Sequence, residues 1–383
     1  MSEIELLYSS CLCSEKIEKK LLQADSSGYA FQIQKYHRLL AKGFVHNGTK
    51  VMALSHPRNI EVLGLENRTE EWENGIAYTY VVKEQNGYRG LLRESFSVAR
   101  QLLKQHLSAV VVCDVLNFTV SFGATLAGRL MGREVIGILT DFPEQLSGRK
   151  DLNSRLIWFL VSLCTCYVVL TEQMKEQLNP RKPAIVLEGH VDSNLGGVEN
   201  CLDRKHPKKV CLYAGALHRK YGIEKLVKAF LMADIADAEL HLYGDGDYVE
   251  ELKKLRDDRV HFFGTAPNCV IVEEELKSRL LVNPRPTDGA FTRYSFPSKN
   301  LEYMASGTPL LTTKLPGMPA EHAAFVYFFK DESVEGMSAT LKELLSKPVE
   351  ELHQKGMAAK KYILENKTET KQARRILEFI QAF

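Results

Sequence analysis

The stretch SFPSKNLEYMASGTPLL, residues 295–311, contains one predicted helix followed at once by the start of a strand. The apolar residues at helical spacing are Leu301, Met304 and Ala305. Ser298 is the predicted N-cap, Gly307 is placed to end the helix, and Pro309 prevents its continuation. A short helix that leads directly into an apolar strand is typical of the helix–strand alternation of an α/β fold.

The same alternation extends in both directions along the chain. Short apolar, β-branched runs are separated by segments with apolar residues at three- and four-residue spacing. The predicted strands are 4–10, 50–56, 76–82, 109–115, 134–141, 167–171, 184–191, 209–216, 239–245, 259–264, 279–285, 308–313 and 324–330. Because several runs are continuously apolar, as strands buried on both faces should be, the pattern predicts parallel sheets covered by helices.

A polar stretch without periodicity, residues 193–209, is read as a linker between two domains. The fold class is therefore α/β, with two Rossmann-like, doubly wound domains at 1–195 and 205–360. A final, charged helix is predicted at 361–383. Ligands of such sheets bind beyond the carboxyl ends of the strands, so the cleft between the facing domains is the expected binding place.

Composition restricts the class of protein. The chain has 383 residues, of which 45% are hydrophobic and 26% charged, and its formal net charge is +2. This composition is globular, and no overall charge favours a nucleic-acid partner. The eight cysteines are not spaced like zinc or redox motifs, which indicates reduced thiols in a cytoplasmic protein. No signal peptide is expected, and the apolar run 156–170 is read as a helix and a strand because it is too short for a bilayer.

The helix at 298–306 is a candidate anion site. A helix N-terminus offers unpaired N–H groups and roughly half a positive charge, which suits a phosphate. Lys299 would add a full charge there, and Glu302, one turn on, could accept hydrogen bonds from both hydroxyls of a ribose. The alternative is a solvated ion pair between Lys299 and Glu302.

Three further stretches contribute candidates. In YAGALHRKYG (213–222), Gly215 allows close approach to a diphosphate that Arg219 and Lys220 would neutralise, although an ordinary turn fits as well. In YGDGDY (243–248) the D-x-D pair lacks further ligands, so a capped turn is expected there and no metal. Asp141 follows a strand, where catalytic groups of α/β sheets collect, but could equally cap a turn. The polar and basic residues at 34–38 could face an acceptor, but they are expected to face water.

Taken together, GALHRKYGIEKLVKAF, LHLYGDGDYVEELKKL, VHFFGT and SFPSKNLEYMASGTPLLTT resemble glycosyltransferase family 4, whose members are retaining enzymes of the GT-B fold. The resemblance is strongest over residues 210–311. It implies a nucleotide-sugar donor bound by the second domain, an acceptor bound by the first, and no metal cofactor. It also implies that the final helix, 361–383, returns to the first domain. The Ser-Lys of FPSK is similar to a subgroup that makes bacterial surface polysaccharides, which implies that Ser298 and Lys299 contact the diphosphate.

The resemblance also implies roles for single residues. Glu302 matches the second glutamate of the family's E-x7-E motif, which holds the ribose, whereas Tyr294 stands in place of the first. The family's diphosphate-binding Arg and Lys fall on Ala216 and Tyr221. The residues expected to compensate are Arg219, Lys220, Lys299 and Arg293. Asp141 would orient the acceptor or stabilise positive charge on the sugar.

The resulting hypothesis is a retaining hexosyltransferase that moves a sugar, from a UDP-sugar in preference to a GDP-sugar, to a glycan or lipid-linked acceptor. Peripheral contact with the inner membrane face is expected through basic residues at 35–42 and 129–150. Two alternatives stay open. One is a nucleotide-sugar epimerase of the same architecture, and the other is a non-catalytic protein that binds sugar nucleotides or glycans.

Overall fold

The computed structural model describes residues 4–24, 31–83, 87–105, 108–144 and 151–382. The chain divides into two compact units. Residues 1–190 and 369–383 form the first, and residues 191–368 form the second. The C-terminal helix thus belongs to the same unit as the N-terminal sheet.

The first unit is built on a sheet with strand order β3-β4-β2-β1-β5-β6-β7-β8. Its strands are β1 (Glu5–Ser10), β2 (Lys50–Ser55), β3 (Thr69–Glu73), β4 (Ile76–Tyr80), β5 (Val110–Asp114), β6 (Val135–Leu139), β7 (Cys166–Val169) and β8 (Ala184–Val186). All neighbouring strands are parallel except β3 and β4. The parallel sheet predicted from the apolar runs is confirmed.

The antiparallel edge strand β3 was not predicted from the sequence. Its residues, TEEWE, are mostly acidic, so the apolar run that marks the other strands is missing. Asn74 and Gly75 connect β3 to β4, both with positive φ, at 51° and 80°. An Asn-Gly pair of this conformation is typical of a two-residue β-hairpin turn. This pair is the feature of the sequence that could have indicated the hairpin.

Helices accompany the first sheet. They are α1 (Glu15–Ala24), α2 (Phe31–His46), α3 (Gly87–Lys104), α4 (Phe118–Leu130), α5 (Leu152–Leu163), α6 (Glu172–Glu176) and the last helix of the chain, α13 (Glu369–Gln381). The division of residues 156–170 into a helix and a strand is confirmed by α5 and β7. Within the described residues, no helix is long and apolar enough to cross a membrane. All eight cysteines are free thiols.

The second unit has a parallel sheet with strand order β11-β10-β9-β12-β13-β14. Its strands are β9 (Lys209–Ala214), β10 (Ala238–Tyr243), β11 (Val260–Gly264), β12 (Leu280–Asn283), β13 (Leu310–Thr312) and β14 (Tyr327–Phe328). Its helices are α7 (Ile223–Ala233), α8 (Val249–Lys254), α9 (Asn268–Lys277), α10 (Ser298–Ser306), α11 (Val334–Ser346) and α12 (Val349–Asn366). Helix α7, between β9 and β10, buries an apolar stripe formed by Ile223, Leu226, Val227 and Phe230.

The strand order reverses direction between β9 and β12. From β9 the chain adds β10 and β11 on one side, and it then returns to β12, β13 and β14 on the other side. In open parallel sheets the loops at the carboxyl ends of two such strands diverge, and ligands bind in the space they leave. The segments that follow β9 and β12, together with the start of α10, are therefore where a ligand of this unit is expected.

Candidate functional site

Helix α10 begins at Ser298 without a capping side chain. Its N-cap is Pro297, with φ −71° and ψ 109°, and the side chain of this residue makes no capping hydrogen bond. The prediction that Ser298 is the N-cap is therefore wrong, because Ser298 is already the first helical residue. Ser298 is exposed. The Asn300 amide of the first turn donates to the Pro297 carbonyl oxygen at 2.9 Å. The positive end of the helix dipole lies at this turn and favours an anion there.

Two buried polar side chains fix α10 beside the carboxyl ends of β9 and β12. The Tyr303 hydroxyl accepts a hydrogen bond from the Ala214 amide at 2.8 Å and lies 3.3 Å from the Ala214 carbonyl oxygen. Asn283 Nδ2 donates to Asn300 Oδ1 at 2.6 Å. Burial raises the pKa of Tyr303 well above its usual range, so this anchor stays neutral. The start of α10 is thus held at the point where the strand order reverses.

Lys299 extends from α10 across Gly215, the first residue after β9. A Cβ atom added to Gly215 would lie 2.7 Å from Lys299 Cε and 2.9 Å from Lys299 Nζ. The ammonium group is 5.9 Å from the centre of the Tyr213 ring and 5.6 Å from that of Tyr303. The structure therefore brings Gly215 and Lys299 together, and only glycine leaves room for the lysine side chain in this position.

The glycines of YGDGDY serve close loop packing. A Cβ on Gly244 would lie 1.8 Å from the Gly215 carbonyl oxygen, and Gly244 has φ +132°. Asp245 accepts a hydrogen bond from the Gly246 amide at 2.8 Å, and Asp247 accepts from the Arg219 amide at 2.8 Å. Both aspartates thus bond backbone N–H groups of the turns, as the capped-turn interpretation expects.

Arg285, which follows β12, is the cation that sequence reasoning missed. The turn after β9 packs directly on this segment, since a Cβ on Gly222 would lie 2.2 Å from the Pro284 carbonyl oxygen. The Arg285 guanidinium lies over the Tyr221 ring, 5.1 Å from its centre. Arg285 is also near Tyr213. Burial raises the pKa of Tyr213, and the positive charge of Arg285 lowers it by a smaller amount. The only signal was the Asn-Pro-Arg sequence directly after a buried strand.

The other predicted cations lie around the same loops. Arg219 is 2.5 Å from Glu224 and 2.5 Å from Glu251, so two carboxylates already balance its charge. Lys220 Nζ is 5.1 Å from the centre of the Tyr221 ring, close to the ring that Arg285 covers. Arg293 is exposed in the short helical turn before α10. Glu302 is half-buried, one turn along α10 from Lys299.

In the first unit, Asp141 lies two residues beyond the carboxyl end of β6 and is half-buried. The expectation that residues 34–38 face water is wrong for Gln34 and His37, which are buried. The Tyr8 hydroxyl lies 2.8 Å from His37 Nδ1, and Asp114 lies 3.3 Å from His37 Nε2. The start of α2 is therefore part of the core of this unit.

Comparisons with known proteins concern the family and the fold. The family model of glycosyl transferases group 1 matches residues 200–362, a range that includes helix α10 and the segments after β9, β10 and β12. No curated protein sequence is significantly similar to the chain.

Solved structures of low sequence identity share the whole fold. Sucrose-phosphate synthase from Thermosynechococcus elongatus has a TM-score of 0.70 at 13% identity, with 99% of each chain covered. HepE from Anabaena in complex with UDP has a TM-score of 0.67 at 13% identity, covering 99% of this chain and 100% of that chain. The lipopolysaccharide outer core galactosyltransferase WaaB has a TM-score of 0.61 at 13% identity, with 99% of each chain covered. The predicted GT-B fold, with two parallel-sheet domains, is confirmed.

Proposed function

Because the chain is a glycosyltransferase by its group 1 domain, we propose that it is a retaining enzyme of family 4 that uses a UDP-sugar. The observation that carries the proposal is the position of Lys299, over Gly215 at the uncapped start of α10. The acceptor in this proposal is a glycan or a lipid-linked glycan of a bacterial surface polysaccharide. HepE, which shares the fold, has been solved with UDP and with UDP-glucose, and this supports UDP as the nucleotide.

The donor is bound in three parts. The diphosphate accepts hydrogen bonds from the first-turn N–H groups of α10 and from the Ser298 hydroxyl, with the Lys299 ammonium beside it. The half-buried Glu302 accepts hydrogen bonds from both ribose hydroxyls. Gly215 leaves room at the end of β9 for the Lys299 side chain, whose ammonium group is proposed to bind the diphosphate. A phosphate at the start of a helix with a ribose one turn along matches the order of the two groups in UDP.

The chemical step needs negative charge to be stabilised on the departing diphosphate. The bond between the anomeric carbon and the β-phosphate oxygen breaks, and a bond from that carbon to the acceptor oxygen forms on the same face of the sugar. The acceptor proton passes to the leaving phosphate oxygen, so no protein nucleophile is required. Fixed donors and cations that meet this growing charge lower the barrier. Asp141 is proposed to orient the acceptor or to stabilise positive charge on the sugar.

Arg285 is proposed to replace the diphosphate-binding lysine of the family. The lysine position is occupied by Tyr221, and the Arg285 guanidinium covers the ring of this tyrosine at 5.1 Å. An arginine from the loop after β12 thus supplies a cation next to the position from which a family lysine would act. Arg219 is less suited to this role because Glu224 and Glu251 neutralise it.

Arg285→Gln is expected to raise the Kd of UDP roughly tenfold or more, since a hydrogen bond to a charged group contributes about 1.5–3 kcal/mol. The Kd of uridine, which lacks the diphosphate, should not change. Calorimetry with both ligands measures the difference, and Arg256→Gln, at an exposed arginine of the same unit, is the matched control. If the Kd values of UDP and uridine rise equally, Arg285 acts only by holding the conformation of the loop.

Membrane contact is proposed through a further surface besides the one predicted. In the predicted one, Arg38 pairs with Glu18 at 2.6 Å and its side chain is 15% exposed, Arg129 is exposed, and residues 145–150 lie outside the described residues. On α3 and α5, Phe96 and Phe159 are 54% and 52% exposed. Both rings pack against Phe122, at 6.0 and 6.1 Å between ring centres, so they belong to one surface.

The charges around these rings favour an anionic lipid surface. Arg89, Arg100 and Lys104 of α3 are exposed, as is Arg155 of α5. The sole acidic residue of α3, Glu94, is buried. Exposed aromatic rings among basic residues on amphipathic helices are typical of proteins that bind membranes at the interface. A lipid-linked acceptor would be reached from this surface.

Replacing Phe96 and Phe159 together by serine is expected to lower partition into vesicles of phosphatidylglycerol and phosphatidylethanolamine at least tenfold, since burial of one phenylalanine contributes about 1.5–3 kcal/mol. Co-sedimentation measures this, and UDP affinity should stay constant. Trp72→Ser is the matched control, as Trp72 is an exposed aromatic residue of β3. Equal binding of the altered and unaltered chains would exclude this surface.

The proposed function is tested by incubating the full chain with UDP-, GDP- and ADP-sugars. We expect a thermal shift with UDP-sugars and slow release of UDP, accelerated by a suitable acceptor. An epimerase would convert the donor into a second sugar nucleotide without any acceptor. A non-catalytic binding protein would show the thermal shift but never release UDP.

A further inference from the structure

The second unit contains a cluster of histidines and glutamates that the proposed transferase reaction does not use. Its members are His206, His241, His261, Glu239 and Glu274. Glu239 and His241 lie two residues apart on β10, so their side chains share one face of the sheet. His261 on β11 is the register partner of His241. His206 precedes β9, and Glu274 lies on α9.

His241 is at the centre of the cluster, and its two ring nitrogens differ. The His241 residue is 7% exposed. Its Nε2 lies 3.0 Å from a carboxylate oxygen of Glu239, whereas its Nδ1 has no hydrogen-bond partner among the residues that the structure describes. A buried polar atom without a partner is unfavourable and uncommon, which indicates that Nδ1 has a use outside the protein's own hydrogen bonds.

Two potential metal ligands lie close to His241. His206 Nε2 is 3.0 Å from a carboxylate oxygen of Glu274, and the rings of His206 and His241 are 5.7 Å apart between centres. One ligand atom from each of His206, His241 and Glu274 falls within 4.8 Å of the other two. In a tetrahedral site with metal–ligand bonds of about 2.0–2.1 Å, the ligand atoms are roughly 3.3 Å apart. Small side-chain rotations are therefore enough to bring these three ligand atoms around one ion.

We propose that His206, His241 and Glu274 form a site for a divalent transition-metal ion of the Zn²⁺ class, with His241 binding through Nδ1. Two imidazoles and one carboxylate favour Zn²⁺ over Mg²⁺ and Ca²⁺, which take oxygen ligands. Water completes the coordination. Binding requires neutral imidazoles, so any proton held between His206 and Glu274 is released to solvent.

Glu239 acts on the ion through His241. A metal-bound histidine usually donates its other ring N–H to a carboxylate, which fixes the tautomer and the ring orientation. In the same way, the Nε2–H group of His241 donates to the Glu239 carboxylate at 3.0 Å. Glu239 is itself held by Lys208 at 2.6 Å and by His261 at 3.3 Å. Glu239 is therefore a positioning residue of the site.

The ion would connect three parts of the second unit. His206 lies in the segment before β9, His241 in β10, and Glu274 in α9. That segment already contacts α9, because the His206 amide donates to the Lys277 carbonyl oxygen at 2.9 Å. A metal bound only by the folded chain raises the melting temperature in proportion to the logarithm of its concentration.

The experiment titrates the full chain, dialysed against a chelator, with Zn²⁺ by calorimetry and with Co²⁺ by visible spectroscopy. We expect one saturable site for each ion, Co²⁺ absorption of four-coordinate type, and no saturable binding of Mg²⁺ or Ca²⁺. His241→Gln and Glu274→Gln should abolish the Co²⁺ signal. Glu239→Gln should weaken Zn²⁺ binding about 10- to 100-fold. His46→Gln, at a 43% exposed histidine of the first unit, is the control.

No saturable site in the unaltered chain, or a site that persists in His241→Gln and Glu274→Gln, would overturn the proposal. If His241→Gln does not fold, His206→Gln and Glu274→Gln replace it, because their side chains are 26% and 17% exposed. UDP binding should be the same with and without Zn²⁺, so the result is independent of the proposed donor site.

Discussion

Replacement of Lys299 by methionine is expected to lower kcat about 10²- to 10³-fold, which is the usual effect of removing one fixed group that stabilises charge in the transition state. Methionine keeps most of the length of the side chain but not its charge, while the negative charge on the diphosphate grows as the sugar departs. The measurement is the rate of UDP release at saturating donor and acceptor. Lys253→Met, at an exposed lysine of α8, is the control. A kcat equal to that of the unaltered chain would exclude Lys299 from the reaction.

A companion variant tests the position of the lysine. In Gly215→Ala the new Cβ would lie 2.7 Å from Lys299 Cε, so the side chain has to move although its charge remains. The variant should therefore also lose activity, and its melting temperature should fall little because φ at residue 215 is not in the left-handed region. Unchanged activity in Gly215→Ala would mean that Lys299 is not required in the position seen here.

Glu302→Ala is expected to raise the Kd of UDP by roughly 10- to 150-fold, since its carboxylate is proposed to accept hydrogen bonds worth about 1.5–3 kcal/mol from the ribose. The affinity for 2′,3′-dideoxy-UDP, which lacks both hydroxyls, should change much less. Calorimetry with the two ligands separates the contribution of the ribose from that of the diphosphate. Glu365→Ala, at an exposed glutamate of α12, is the control. Unchanged UDP affinity would remove the role assigned to Glu302.

Much of the fold could be predicted because buried parallel strands are continuously apolar. β5 and β6, for example, were predicted within one or two residues of their observed ends from VVVCD and VIGIL alone. β3 was missed because its residues are acidic and half-exposed. Only its hairpin turn, Asn74-Gly75, carries a local signal.

Residues of the candidate site could be predicted when they are close to each other in sequence. Contacts between residues that are distant in sequence could not be predicted. Lys299 and Glu302 share one short helix, so a single segment indicated both. Arg285 meets Tyr221 only because the loops after β9 and β12 pack on each other, and no local pattern encodes that contact.

Burial of His37 has a similar cause, because its ring contacts Tyr8 of β1 and Asp114 of β5, which are distant from it in sequence. Helix α2 packs against α13 at the other end of the chain, where Asn47 Nδ2 donates to the Thr370 carbonyl oxygen at 2.9 Å. A Cβ on Gly43 would lie 2.2 Å from the Glu369 carbonyl oxygen, so the two helices are in direct backbone contact there. The sequence of α2 by itself does not reveal which of its polar residues such a contact turns inward.

A crystal structure of the chain with UDP bound tests the proposed donor site most directly. We expect the diphosphate at the first turn of α10, within hydrogen-bonding distance of Lys299, and the ribose hydroxyls on Glu302. UDP bound elsewhere, with no contact to the start of α10, would contradict it.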